Sequence, residues 1–238
     1  MRASATRSTG DLFLEVMRSG FPELARPADP TGREIYEHAF PHRDLSPAVN
    51  EWRASNVRRI IPQWSKLAVA RLAQRYHGMP FMYGALWLTV YRGNGDVEDL
   101  GLASLRVVTT AGVNYLAADF AAGANDSNLF KFHAVGTGTN AEAVGDTALQ
   151  TEETTQYNPD STRPTGSQAS ATNTYTTVGT YTPDSGVTRA ITEHGILTQA
   201  ATSSGTLWDR SVFSVVNLTV ATNDSLQATY VATFPSGG

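Results

Sequence analysis

The feature that most constrains this chain is a change of hydrophobic period at Gly78. Upstream, apolar residues recur at three- and four-residue spacing. Downstream they alternate in short runs separated by Gly, Asn, Asp, Pro and Ser. Met79 to Arg92 ends in the turn-rich Gly93-Asn94-Gly95-Asp96; Gly101 to Thr110 follows, then Ala111-Gly112, then Val113 to Phe120. This reads as strand, hairpin, strand, turn, strand. Leu86, Leu88 and Val90, like Leu105 and Val107, suit half-buried strands. Further strands are predicted at 130–135, 163–169, 174–181, 190–200, 208–217 and 225–234, with 141–156 either a short helix or a loop crossing the end of the sheets. Short, evenly spaced strands bury their apolar faces by stacking two sheets. The predicted fold class is mainly β: an antiparallel, jelly-roll-like β-sandwich over residues 79–238.

Two segments precede it. In 46–78, Ser46 is a good N-cap and Pro47 fits the first helical position. Trp52, Val57, Ile60 and Ile61 make no clean stripe, and Pro62 is expected to end or kink the helix, or to start a second one. Beyond it Trp64, Leu67, Ala68 and Leu72 keep helical spacing up to Gly78, with Arg71 and Arg75 at the rim of that face. Residues 1–45 read as an extended arm, punctuated by Pro22, Pro27, Pro30 and Pro41, with one short helical run from Asp11 to Arg18. Such a run cannot bury itself alone. Phe13, Phe21, Tyr36 and Phe40 are more aromatics than a solvated tail carries, so a neighbouring subunit is expected to order the arm. The predicted partner-binding residues are Phe13, Phe21, Tyr36 and Phe40 with Arg58, Arg59, Arg71 and Arg75.

Charge narrows the partners. Of the 18 Lys/Arg only Lys131, Arg163, Arg189 and Arg210 lie beyond residue 110, against 11 of the 22 Asp/Glu. An acidic, Lys-poor β region lacks the clustered cations that phosphate binding needs, which argues against nucleic acid as a partner. The arginines of the first half suit an acidic protein surface instead. There is no cysteine, hence no disulfide and no thiolate metal site, which fits assembly in a reducing cytoplasm. No apolar run approaches a membrane span, and Leu12 to Met17, interrupted by Glu15, is too short for a signal sequence.

The chemical motifs are weak. Gly136 to Asn140 is Gly-rich but lacks the Lys-Ser/Thr of a phosphate loop. Asn94, Asp96, Glu98 and Asp99 lack calcium-loop spacing and read as a hairpin tip. Glu193 and His194 are adjacent on a strand, so they face opposite sides and form no direct dyad. His133 reads as a satisfied core histidine. His38 and His42 have helical metal-pair spacing, but Pro41 lies between them. Asp209 and Arg210 are expected to pair separately, with Trp208, Phe213 and Val215 facing core or sheet. No catalytic, cofactor-binding or metal-binding residue is assigned, and no cofactor.

One set of phrases points further: Val108 to Phe120, Lys131 to Glu152, Ile191 to Ala201, Leu207 to Leu218 and Asp224 to Phe234. In combination and order they resemble tailed-bacteriophage virion structural proteins, small β proteins of head and tail gene clusters, over about residues 101–236. The resemblance implies a structural or binding role in the virion, assembled in the host cytoplasm. The leading expectation is a capsid decoration or cement protein contacting the major capsid protein or other virion proteins, homo-oligomeric in the particle. The alternatives are a tail, head–tail connector or fibre-base component; a receptor- or glycan-binding module using Tyr157, Tyr175 and Tyr181; and, last, a glycan depolymerase.

Overall fold

The alternation past Gly78 builds two antiparallel sheets. A computed structural model describes residues 35, 38–77, 81–122, 126–184, 186 and 188–234. Within them run α1 (Pro47–His77), β1 (Tyr83–Tyr91), β2 (Val97–Val107), α2 (Thr110–Ala122), β3 (Phe132–Gly136), β4 (Ser167–Ala171), β5 (Thr174–Tyr181), β6 (Arg189–Leu197), β7 (Leu207–Leu218) and β8 (Ser225–Thr233). One sheet has the order β2-β1-β8-β5-β4 and the other β3-β6-β7, in a sandwich-like arrangement. None of the described helices is long and apolar enough to cross a membrane.

The main core lies between the sheets. Leu86, Leu88 and Val90 of β1 meet Phe213, Val216 and Leu218 of β7 and Leu226, Ala228 and Tyr230 of β8. A second cluster covers the other face of the five-stranded sheet, where Tyr83, Ala85 and Trp87 meet Val57, Ile60 and Leu67 of α1, with Ile35 from the preceding segment. Strand β1 is therefore buried on both faces. Val49 and Trp52 of α1 join the main core, so the helix contributes to both clusters.

Helix α1 runs unbroken through Pro62. Pro62 is exposed, so the carbonyl that loses its helical donor lies on the solvent side, where water can satisfy it. Leu72, expected on the buried face, is 55% exposed.

The strand predicted over Val113 to Phe120 is instead the helix α2. Its inward positions are Gly112, Tyr115, Leu116 and Asp119, at helical spacing. Five alanines, at 111, 117, 118, 121 and 122, favour the helix, and the Thr109 hydroxyl caps it by accepting from Gly112 N–H at 3.0 Å. The strand predicted at 163–169 starts only at Ser167; Pro164 has no N–H to give a ladder, and Thr162 and Thr165 make single bridges. Residues 141–156 take the loop alternative.

Strand β7 also departs from simple alternation. Ile191 pairs with Val216 but Glu193 with Val212, so β7 bulges over 213–215. Phe213 is 1% exposed and Val215 is 45% exposed. The bulge puts on opposite sides two residues that plain alternation puts on one.

Candidate docking surface

The two faces of α1 do different work. Its inner face carries polar residues at core spacing, and these bond to strand backbone. Arg53 donates to the carbonyls of Leu100 and Asp99 at 3.2 and 2.9 Å. Asn56 Nδ2 donates to the Ala103 carbonyl at 2.9 Å, while its Oδ1 accepts from Ser214 N–H at 2.9 Å. Trp52 Nε1 donates to the Ser214 carbonyl at 2.9 Å, and Gln63 Oε1 accepts from Leu105 N–H at 2.7 Å. Asn56 thus ties β2 of one sheet to β7 of the other. Each bond satisfies an edge group that packing would otherwise strand away from water.

The outer face carries Arg58, Ile61, Ser65, Val69, Leu72 and Tyr76, within an arc of roughly 80° at 100° per residue. Ile61 is 49%, Val69 66% and Tyr76 73% exposed. Arg58 and Arg59 are exposed and form no ion pair with any described residue. This face is a helical apolar stripe with Arg58 at one end and Arg59 on its flank.

The buried charges are spoken for within the fold. Glu193 is fully buried; it accepts from Arg210 Nε at 2.8 Å and from the N–H groups of Gly138, Gln150 and Thr151 at 3.0, 3.0 and 2.7 Å. Arg210 reaches on to Asp146 at 3.1 Å and bonds to Asn140. The Gly-rich turn at 136–140 is therefore folded around a carboxylate of its own chain. On the opposite side of β6, His194 Nε2 and His133 Nδ1 share a hydrogen bond of 3.0 Å, and His133 Nε2 bonds to Thr177 Oγ1 at 3.0 Å. The His133 ring fits because Gly166 and Gly179 leave space: a Cβ on either would stand 2.5 Å from it. Burial pushes the His133 imidazole down to about 3 from 6.5. Burial, and then His133, hold His194 well below its ordinary value. Both rings are neutral parts of the core.

A third polar knot joins the β1–β2 hairpin to the corner before β8. Arg92 pairs with Glu98 at 2.6 Å and with Asp224 at 2.8 Å. Burial alone would raise the Asp224 carboxyl; N–H bonds from Thr219 and Gly93 and the Arg92 guanidinium bring it down to about 2. The hairpin-tip acids are thus divided, with Glu98 paired and Asp96 exposed at the turn.

Of the predicted partner-binding residues, Phe13, Phe21 and Tyr36 lie outside the described residues, as does the helical run at 11–18. Phe40 is 53% exposed. Arg58 and Arg59 face outward. Arg71 turns inward, its guanidinium 5.5 Å over the Tyr83 ring. Arg75 belongs to α1, but its side chain lies outside the description. Tyr157 and Tyr181 are buried against each other, ring centroids 5.6 Å apart, so neither is free to stack on a sugar. His38 is buried and His42 exposed, and no group of three His, Asp or Glu among the described residues is placed to hold a metal ion.

Sequence reasoning missed the outer stripe. Its signal is Ile61, Val69, Leu72 and Tyr76 at helical spacing; of these the sequence pattern puts only Leu72 on the buried face, gives Ile61 no clean stripe, and singles out neither Val69 nor Tyr76. No protein-family model matches the chain, and no match is found among the curated proteins.

Proposed function

We propose that this protein is a structural component of a tailed-phage virion, most specifically a capsid decoration or cement protein. The observation that carries the proposal is the outward face of α1: Ile61, Val69, Leu72 and Tyr76, with Arg58 at its end and Arg59 exposed on its flank, on a helix whose other face is fastened to both sheets. A rigidly held helix with an apolar stripe is a ready docking element. The sequence resemblance supplies the partner, the major capsid protein or another virion protein. The mechanism is mass action: a protein that binds the assembled shell and not its free subunits stabilises the shell.

The test is to place the protein in intact particles by imaging at subunit resolution, then to measure heat-induced DNA release from particles stripped of it. On this reading the protein covers lattice contacts, α1 faces the shell, and stripped particles release DNA at lower temperature. Density confined to one vertex supports the connector or tail reading instead. Equal heat stability with failed adsorption to cells supports receptor binding.

A further inference from the structure

Sheets of five and three strands present four edges, and the chain closes three of them. The edge of β2 is capped by Arg53, Asn56 and Gln63. The edge of β7 is capped by Asn56 and Trp52 at Ser214, and by Thr109, whose N–H donates to the Trp208 carbonyl at 2.9 Å. The edge of β3 is closed by the loop that follows it: Glu152 and Thr165 bridge to Gly136 and Phe132, and Glu153 N–H donates to the Val135 carbonyl at 2.9 Å.

The fourth edge is β4. Its inner side pairs with β5, Ser167 opposite Val178 through Ala171 opposite Thr174. Among the described residues no other strand or loop runs along its outer side. All five residues, Ser-Gln-Ala-Ser-Ala, are exposed. Proteins blunt an open edge with charge, proline or a bulge. This strand has no charged residue and no proline, and its register with β5 is unbroken. The described residues cap three edges in detail and leave the fourth flat and uncharged, an edge suited to pairing.

We infer that β4 is the edge through which two copies of this chain pair, antiparallel, about a twofold axis at Ala169. The occupant follows from the strand itself. In that register Ser167 faces Ala171, Gln168 faces Ser170 and Ala169 faces its own copy. No like charges meet and no large side chain intrudes. Five residues a side offer only on the order of four to six backbone hydrogen bonds. A five-residue edge also buries well below the roughly 800 Å² per partner of a stable free dimer. The pairing is therefore weak in dilute solution and forms where copies are held close together. This inference rests on the edges alone and stands whether or not the particle is a virion.

The absence of cysteine makes the test clean. In the full-length protein, Ala169→Cys places two thiols across the axis, at an antiparallel Cα spacing of about 4.5–5.5 Å that a disulfide can bridge. Under mild oxidation at high protein concentration its disulfide-linked dimer is expected to form at least tenfold faster than that of Val215→Cys, an exposed control on β7. Sedimentation at rising concentration should show weak self-association of the native chain, abolished by Ala169→Lys with an unchanged circular dichroism spectrum. Equal cross-linking rates at the two positions overturn the inference. So does strong hydrogen-exchange protection, in the dilute monomer, of those β4 amides that point away from β5, which would mean that another segment of the same chain covers this edge.

Discussion

Arg210 holds the most demanding position in the molecule. It neutralises Glu193 inside the three-stranded sheet and reaches Asp146 in the crossing loop. Removing one partner of a buried pair leaves the other charge stranded, at about 3–5 kcal/mol. Arg210→Ala is expected to lower unfolding stability by roughly that amount in denaturant titration and to loosen residues 137–151 in hydrogen exchange. The histidine pair makes a second prediction. Its folded pKa values lie below the unfolded value of 6.5. The unfolded chain therefore binds protons that the folded one refuses. The pair's neutral state is fully compatible with folding above pH 6.5, and stability falls as pH drops below that value, by up to about 1.4 kcal/mol per pH unit for each ring. Calorimetry at pH 7 and pH 5 should show the drop, and His133→Gln should shrink it. These roles were only partly legible: His133 in an apolar strand read as a core residue, and the opposed facing of Glu193 and His194 followed from alternation. The partners of His133, 44 and 61 residues away in sequence, are set by strand pairing that local pattern does not encode.

At the scale of elements, α1 shows why a sequence stripe can mislead. Its core-facing positions include Arg53, Asn56 and Gln63, which a hydrophobic pattern counts against burial, while the apolar Val69, Leu72 and Tyr76 point outward. The helix was legible; its facing was not, because the inner side serves backbone edges as well as core. Asn56→Ala strands Ser214 N–H and the Ala103 carbonyl, and is expected to cost about 2–4 kcal/mol in thermal or denaturant unfolding. The same logic applies to a fragment starting at Gly84, which loses the helix that caps β2 and β7. It is expected to be unfolded or aggregated by circular dichroism and light scattering. The bulge in β7 gives a sharper contrast. Phe213→Asp should prevent folding, whereas Val215→Asp should change Tm by no more than a few degrees. Similarly, the turn-punctuated series after Gly78 predicts a strand where α2 lies; its alanines and the Thr109 cap decide for the helix.

Among the described residues the molecule is a sandwich-like pair of sheets with a helix fastened to both, three closed edges and one open edge, and its C-terminal half is acidic. The sheets, most strand positions and the turn punctuation were legible because period and turn chemistry are local. The order of strands in each sheet was not. On the proposed reading, Arg58 at the end of the helical stripe and Arg59 on its flank add attraction toward an acidic shell surface. Neutralising Arg58 and Arg59 should lower occupancy on particles at low salt, and added salt should bring the native protein down toward the variant.

The most direct test is the occupancy on purified particles of a chain carrying Val69→Asp and Leu72→Asp, beside the native chain and a Val215→Asp control. Both substituted side chains are exposed, so Tm is expected to stay within a few degrees of native. If the outward face of α1 is the docking face, occupancy of the double variant falls at least tenfold while the control binds as the native chain does. Full occupancy of the double variant, with its fold intact, would contradict the account.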